Sequence, residues 1–401
     1  MKKIVLDPAP CALERDIFKH LSGFVVGQER PKRRVASMIL RYKGLRDPRR
    51  PAGTMFCLGP TGVGKTETVK AMAHRLFGDL NGYTHISCGN YQNGHEVTQL
   101  LGAPPSYIGF NDTPKLSQKL IDAPDVRRRV QRERDLEESF SILESEKKTA
   151  GAIRRREIDQ KLEKMRDELT VIKDSPLTSI ILWDEIEKAH PDLIKITLDL
   201  LSEGRVHLNN NQVTNCADTF VFFTSNTASQ DIGDLLGGKK IQMGFHAESE
   251  ALDLEMAIYK KAMAKLEKII SPEFLGRIGK ENVVTYVPLN DTQRAEVFDL
   301  RVADIRSYIA ASGKQFSFEV SAEAKWYLIA ETRDPKNIAL GMRAVTNVVQ
   351  KKLLDPLNSI IVKERDEGGI AVGDSILAEL GSDGELRFVR LEADKALIAG
   401  R

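Results

Sequence analysis

The segment Gly59-Pro60-Thr61-Gly62-Val63-Gly64-Lys65-Thr66 constrains this chain more than any other. It satisfies G-x-x-x-x-G-K-[ST], with the apolar run Met55 to Leu58 before it and a helical pattern, Glu67 to Leu76, after it. Strand, glycine turn and helix start are the context in which that spacing has a physical meaning. Glycines at 59, 62 and 64 let backbone N–H groups turn inward around phosphate oxygens, and the helix start adds positive potential. Lys65 then reaches the terminal phosphates and Thr66 is placed to hold Mg²⁺.

The rest of the chain supplies a fold for such a loop. Thr84-His85-Ile86, Ile180 to Trp183, Val221 to Phe223 and Val283 to Val287 are short apolar runs separated by helical patterns. Strand and helix in alternation predict an α/β fold with a parallel sheet covered on both faces. With 401 residues, two to three domains are expected, at roughly 100–200 residues each. Residues 1–24 read as a short helical segment and 25–288 as the large α/β domain. After Pro288 the pattern turns helical, over 292–311, 322–332 and 341–362, and ends in two strands at 375–380 and 386–390. Residues 289–401 are therefore a small, mainly helical α+β lid.

One stretch breaks the rhythm. Residues 123–174 are crowded with Arg, Lys and Glu. Ile158, Leu162, Met165, Leu169 and Ile172 recur at spacings of four and three, with Val126, Val130, Leu136, Phe140 and Leu143 in the first half. Thr149-Ala150-Gly151 offers a reversal, so an antiparallel helical hairpin is expected to be inserted in the large domain.

Charge narrows the function classes. Fifty-nine Lys plus Arg against 57 Asp plus Glu leave +2, without the global basic field that draws a protein onto nucleic acid. Cys11, Cys57, Cys88 and Cys216 lack C-x-x-C spacing and read as reduced, buried thiols. The basic start, with only Ile4-Val5-Leu6 as its apolar run, is too short for a signal peptide, and no segment is suited to span a membrane. A cytoplasmic location is expected.

Asp184-Glu185 follow the apolar strand pattern Ile180 to Trp183, which delivers two carboxylates to the sheet edge where the phosphate loop sits. Asp184 suits the Mg²⁺ shell, and Glu185 suits the base that orients or deprotonates a water in line with the γ-phosphorus. Asn226, after the apolar stretch Phe220 to Thr224, is a third polar group at the same edge.

These segments, taken with Val25-Val26-Gly27-Gln28, Gly102-Ala103-Pro104-Pro105-Ser106-Tyr107-Ile108-Gly109-Phe110, Asp184 to Pro191, Pro272 to Ile278 and Gly341-Met342-Arg343, resemble the AAA+ module of the Clp unfoldase and disaggregase family. The second ATPase domain of its double-ring members is the nearest pattern, from about residue 25 to about residue 360. The resemblance implies an ATPase using ATP and Mg²⁺, with Val25 and Val26 lining the adenine pocket and Asn226 as a sensor. It also implies Arg277 as an arginine finger reaching a neighbour's γ-phosphate, and Arg343 as a second sensor from the lid. Such a finger implies a homo-oligomeric ring, a hexamer by the family pattern, in which Tyr107 and Ile108 grip a protein substrate in the pore. The family writes Gly where this chain has Ser106. Leu208 to Gln212 would be a second pore loop by position. Met243-Gly244-Phe245 resembles the tripeptide by which proteolytic Clp ATPases dock on a barrel peptidase. With no folded amino-terminal recognition domain in view, something else must choose substrates, and the 123–174 hairpin is the candidate docking arm or inter-subunit brace, with an adaptor as a further partner. Two other readings are an AAA+ motor or loader on nucleic acid and an ATP-dependent assembly scaffold.

Overall fold

The computed structural model describes residues 9–102, 112–227, 248–333, 341–363 and 369–391. Tyr107, Ile108 and the Met243-Gly244-Phe245 tripeptide lie outside them. The strands up to the lid are β1 (Gly53–Leu58), β2 (Thr84–Ser87), β3 (Ser179–Asp184), β4 (Arg205–His207), β5 (Val213–Asn215), β6 (Thr219–Ser225) and β7 (Val283–Thr285). Five of them form one parallel sheet in the order β2-β3-β6-β1-β7. β4 and β5 make a separate antiparallel hairpin.

The sheet is apolar on both faces because its strands alternate between two cores. Phe56, Leu58, Ile181, Trp183, Val221 and Phe223 belong to one core, with helices Pro191–Glu203 and Pro272–Ile278. Met55, Cys57, Ile180, Leu182, Phe220 and Phe222 belong to the other, with helices Ala12–Ser22, Glu29–Lys43 and Lys65–Phe77. Each fully buried phenylalanine is worth about 1.5–3 kcal/mol over an exposed one. Of the four cysteines, Cys57, Cys88 and Cys216 are buried as expected. Cys11 is exposed instead, and its sulfur accepts the Glu14 N–H at the start of the first helix.

The third core gathers helices Asp291–Ala311, Ala322–Glu331, Met342–Val349 and Asp355–Val362. The sequence pattern 341–362 reads as one helix, whereas the structure breaks it with a π-helical turn, Gln350–Leu354. It also adds β8 (Ser317–Val320), which pairs parallel with β9 (Ser375–Leu380), the partner of β10 (Leu386–Leu391). β8 escapes a sequence reading because its pattern Ser-Phe-Glu-Val buries only Phe318 and half-buries Val320.

The charged insertion is a helical hairpin, Ala123–Thr149 and Ala152–Asp174. Leu136, Ile158 and Leu162 are buried along its seam, but Val126 and Val130 are 41% and 42% exposed. The base is held by polar chemistry in their place. Asp125 is fully buried and accepts from Arg128 Nε (2.9 Å), Arg129 Nη2 (3.0 Å) and the Thr178 N–H (2.9 Å). The Arg129 fork continues onto the carbonyls of Ile172, Ser175 and Pro176. Asp125 thereby pins the start of the insertion to Thr178, the residue that precedes β3, and Arg129 ties that start to the insertion's other end. Burial pushes the Asp125 carboxyl up, but the Thr178 N–H and the two guanidinium groups outweigh it and hold the group below the usual carboxylate range. The ion pairs farther out, Arg132–Glu168 and Arg154–Glu146, are solvent-exposed and contribute little.

Asp125→Asn removes the buried charge and leaves Arg129 facing carbonyls alone, so it should destabilise the chain by about 3 kcal/mol. A lowered folded-state pKa supplies stability above the unfolded carboxylate range and loses it as pH falls through the folded value. The parent's urea midpoint should therefore drop below about pH 4 more steeply than that of Asp125→Asn; parallel pH profiles would refute this account.

Candidate nucleotide site

Parallel register brings the ends of three strands to one level. Leu58 pairs with Ser225, Trp183 with Phe223, and Ser87 with Asp184. The loop after β1, Asp184 and Glu185 at the end of β3, and Asn226 after β6 therefore meet at the carboxyl edge of the sheet.

The phosphate loop ends in Gly64, whose φ of +102° a side chain would strain, and helix Lys65–Phe77 starts there without a side-chain cap. Its first N–H groups are thus left to a ligand. The Lys65 ammonium donates to Gly59 O (2.6 Å), Pro60 O (2.6 Å) and Asn226 Oδ1 (2.7 Å). Burial lowers its pKa to about 8, against the upward pull of Cys57, Asp184 and Glu187. Thr66, next on the helix, is half-buried.

Asn226 is the hub of the cluster. Its Nδ2 donates to Glu185 Oε1 (2.9 Å) while its Oδ1 accepts from Lys65, so one amide ties the lysine to the glutamate. Glu187 Oε1 accepts the Asn226 N–H at 2.9 Å. The other Glu187 oxygen is buried and finds no partner among the described residues. Glu185 has φ +57°, a conformation that costs a non-glycine residue about 1–3 kcal/mol and is held by its N–H donating to Thr224 Oγ1 (2.9 Å). Its second oxygen accepts from Lys188 Nζ at 2.7 Å. Asp184 accepts from Thr224 Oγ1 and lies 3.2 Å from His85 Nε2. Burial pushes the Asp184 carboxyl up, but those bonds and the Lys65 charge outweigh it and hold it below the ordinary range.

The C-terminal helical unit meets one side of the site. Met342 N donates to Gly62 O at 2.6 Å, and Arg343, exposed one residue on, lies near enough for its charge to depress the Lys65 pKa. Gly341 has φ +55°, and a Cβ there would lie 2.6 Å from Gly62 O, so only glycine allows this approach. The Val25-Val26 pair divides: Val25 packs in the sheet's second core beneath Gly64, and Val26 in the lid's core. Arg277 is elsewhere. It donates to Leu198 O (2.6 Å) and Glu273 Oε1 (2.7 Å), and no described contact joins it to Lys65, Asp184, Glu185 or Asn226.

The profile of the AAA domain (Cdc48 subfamily) matches residues 50–127 and 135–281, more than half of the chain. The chain belongs to that family. It is 30% identical over 368 residues to chaperone protein ClpB of Bacteroides thetaiotaomicron, covering 90% of this chain and 35% of the relative. It is 29% identical to ClpB of Aquifex aeolicus, covering 92% of this chain and 30% of the relative. The ATP-dependent Clp protease ATP-binding subunit ClpC of Staphylococcus aureus is 27% identical over 339 residues, which is 84% of this chain and 33% of the relative. The chain spans about a third of the length of these relatives. The resemblance read from its motifs thus holds at the level of the family.

Four groups at this AAA site escape a sequence reading that assigns roles residue by residue. Thr224 and His85 flank Asp184 from neighbouring strands, and only the sheet order reveals them. Glu187 stands beside two carboxylates of clearer use. Gln28 belongs to the quoted Val-Val-Gly-Gln segment, and its side-chain amide clasps the Val287 backbone (2.7 and 3.2 Å), joining that segment to the chain leaving β7.

With a lysine pKa near 8, the folded chain binds fewer protons than the unfolded chain between about pH 8 and 10.5, and stability from this group rises with pH across that window. A polyphosphate on the loop pulls the pKa back up, so its binding should take up a proton above pH 8. Calorimetry of ATP binding at pH 8.5, in two buffers of different ionisation enthalpy, should show an uptake that Lys65→Met abolishes; equal enthalpies in both buffers would disprove it.

Proposed function

We propose that the chain is an ATPase subunit of a homo-oligomeric ring, with six members by the family pattern, that unfolds or remodels proteins by pulling them through its pore. The observation that carries the chemistry is the Asn226 amide bridging Lys65 and Glu185. The uncapped helix start, a lysine held ready by loop carbonyls and an orphaned carboxylate oxygen on Glu187 together fit a hydrated, magnesium-bound triphosphate. Gly59 to Thr66 would hold the phosphates, Thr66 and Asp184 the Mg²⁺, and Val25 with Val26 the base. When bound, the metal supplies charge neutralisation at the phosphates.

The residues of the chain divide the remaining work. Glu185 takes the proton from an attacking water, and Asn226 holds that carboxylate in line with Lys65. The left-handed backbone at Glu185 keeps its carboxylate turned toward Asn226 and Lys188. Lys65 must leave the loop carbonyls for the terminal phosphates, and Asn226 registers that move through the shared bond. Arg343 reports on the same phosphates from the lid. Arg277 reaches a neighbour's site, and loss of the terminal phosphate breaks charge-assisted contacts from both. Tyr107 and Ile108 would carry the grip on a polypeptide main chain, which is indifferent to sequence. The 123–174 hairpin would receive an adaptor or client, and Met243-Gly244-Phe245 a Clp-type peptidase. The cytoplasm suits the buried, reduced thiols.

Glu185→Gln should bind ATP with near-parental affinity and lose about 100-fold or more in turnover. Arg277→Ala should be similarly slow. Mixing the two should restore hydrolysis at interfaces that pair an intact Glu185 with an intact Arg277; no recovery would sink the shared site. Microscopy of Glu185→Gln with ATP and a client should show polypeptide in the channel. Replacing 124–173 by a short linker should spare basal hydrolysis and abolish client selection, and unchanged selection would remove the hairpin from that role.

A further inference from the structure

The three consecutive asparagines at the tip of the β4–β5 hairpin do different things. Asn211 takes the positive φ of the turn (+63°), and Asn210 closes it by accepting the Gln212 N–H at 3.1 Å. Asn209 reaches out of the hairpin altogether. Its backbone N–H donates to Leu101 O at 2.9 Å and its Nδ2 to Gly102 O at 2.5 Å. Leu101 and Gly102 immediately precede the segment 103–111, which carries Tyr107 in the sequence.

The other end of that segment is tied to the same hairpin. Thr214 Oγ1 donates to Leu116 O at 2.6 Å, and the Gln118 side chain exchanges bonds with the Asn215 backbone at 2.8 and 3.3 Å. Leu116 N meets Leu100 O at 3.1 Å, closing the two feet on each other.

The hairpin in turn grows out of the nucleotide site. β4 begins one residue after helix Pro191–Glu203, joined by Gly204, whose carbonyl accepts the Cys216 N–H at 2.7 Å. That helix comes after the short turn Ile186–Lys188, which contains Glu187, and the same helix offers Leu198 O to Arg277. The bonds to the second foot all come from Thr214 and Asn215 on β5, behind the tip. Among the described residues of the hairpin, Asn209 alone fixes the foot that leads into 103–111, and does so at two points. A two-point attachment resists rotation, whereas one bond leaves a pivot.

We propose that Asn209 is the latch that couples the 103–111 segment to the state of the nucleotide site. It is a positioning residue, and the inference rests on the reading that Tyr107 on that segment contacts the moving polypeptide. With the latch made, a displacement of helix Pro191–Glu203 is carried through β4 to the foot at Gly102. With the side-chain bond lost, the foot turns about the remaining backbone bond and the nucleotide signal stops there.

The test is hydrogen exchange of the 103–111 amides by mass spectrometry in full-length Glu185→Gln protein, with ATP and with ADP. The parent should show a nucleotide-dependent difference in that peptide. Asn209→Ala should shrink it at least threefold with nucleotide affinity and melting temperature unchanged, while Asn210→Ala keeps it. Asn209→Asp, the same size without the donor, should match Asn209→Ala and decides the matter if the alanine variant folds poorly. A full difference in either Asn209 variant, or none in the parent, overturns the latch. A separate assay tracks a tagged client: if the wild-type chain unfolds nothing, or Tyr107→Ala unfolds it at the wild-type rate, the threading reading falls and takes with it the use proposed for the latch, while the exchange result alone decides whether Asn209 couples the segment to nucleotide.

Discussion

Everything at the site depends on a registration of backbone: β1, β3 and β6 run parallel and in step, so three loops leave the sheet at one height. Parallel strands require that both faces be covered, and the alternating sets Phe56/Leu58 and Met55/Cys57 meet that requirement on opposite sides. A polar group beyond the last apolar residue of such a strand has nowhere to go except the shared edge. That is why an asparagine can bond at once to a lysine 161 residues earlier and a glutamate 41 residues earlier. The same geometry makes the site fragile, since a slip of one residue in β6 would turn Asn226 to the other face.

The C-terminal unit is joined to this edge by a backbone bond and by the Met342 side chain, which lies over Gly64 beside Val25. Met342 donates to Gly62, and Gly341 is the residue that lets the chain come so near. Because the contact lands on the phosphate loop itself, any change in the loop's backbone is felt at the start of the lid helix that carries Arg343. Val25 and Val26, adjacent in sequence yet buried in different cores, form a second joint between the same two bodies. In the proposed cycle these two joints would act as a hinge, and a nucleotide would bias it only by its differential affinity for the two states.

The legible part of the molecule is the part governed by local pattern. Apolar runs ending in Leu58, Trp183 and Thr224 announce buried strands, and the glycine-rich segment after the first of them announces a phosphate loop. The helical hairpin shows in its heptad spacing, but Val126 and Val130 obey that spacing and still stand exposed, because the Asp125–Arg129 knot sets the distance between the helices at their base. A short-range pattern carries no trace of an arginine fork bonding carbonyls 43 to 47 residues away. His85 and Thr224 are invisible for the same reason, being functional through strands that are neighbours only in space. β8 is lost to a different cause: four residues with one fully buried side chain are too few for a period to register.

In the proposed ring, Arg277 is the residue that would join one subunit to the next. Its guanidinium is oriented by Glu273 one helical turn back and by Leu198 on the helix after the Asp184-Glu185 pair. A surface arginine with no other duty gains little from such a double constraint, since losing side-chain freedom costs about as much as an exposed ion pair returns. In that ring, the same two bonds would hold the guanidinium in a fixed direction toward the neighbouring subunit. Leu198 sits on helix Pro191–Glu203, which joins the turn bearing Glu187 to the hairpin bearing Asn209, so Arg277, the carboxylates and the latch all connect to that one helix. Movement of that helix on hydrolysis would shift all three together. In the proposed ring, that would link the moment at which one subunit pulls to the moment at which its neighbour gains or loses its finger.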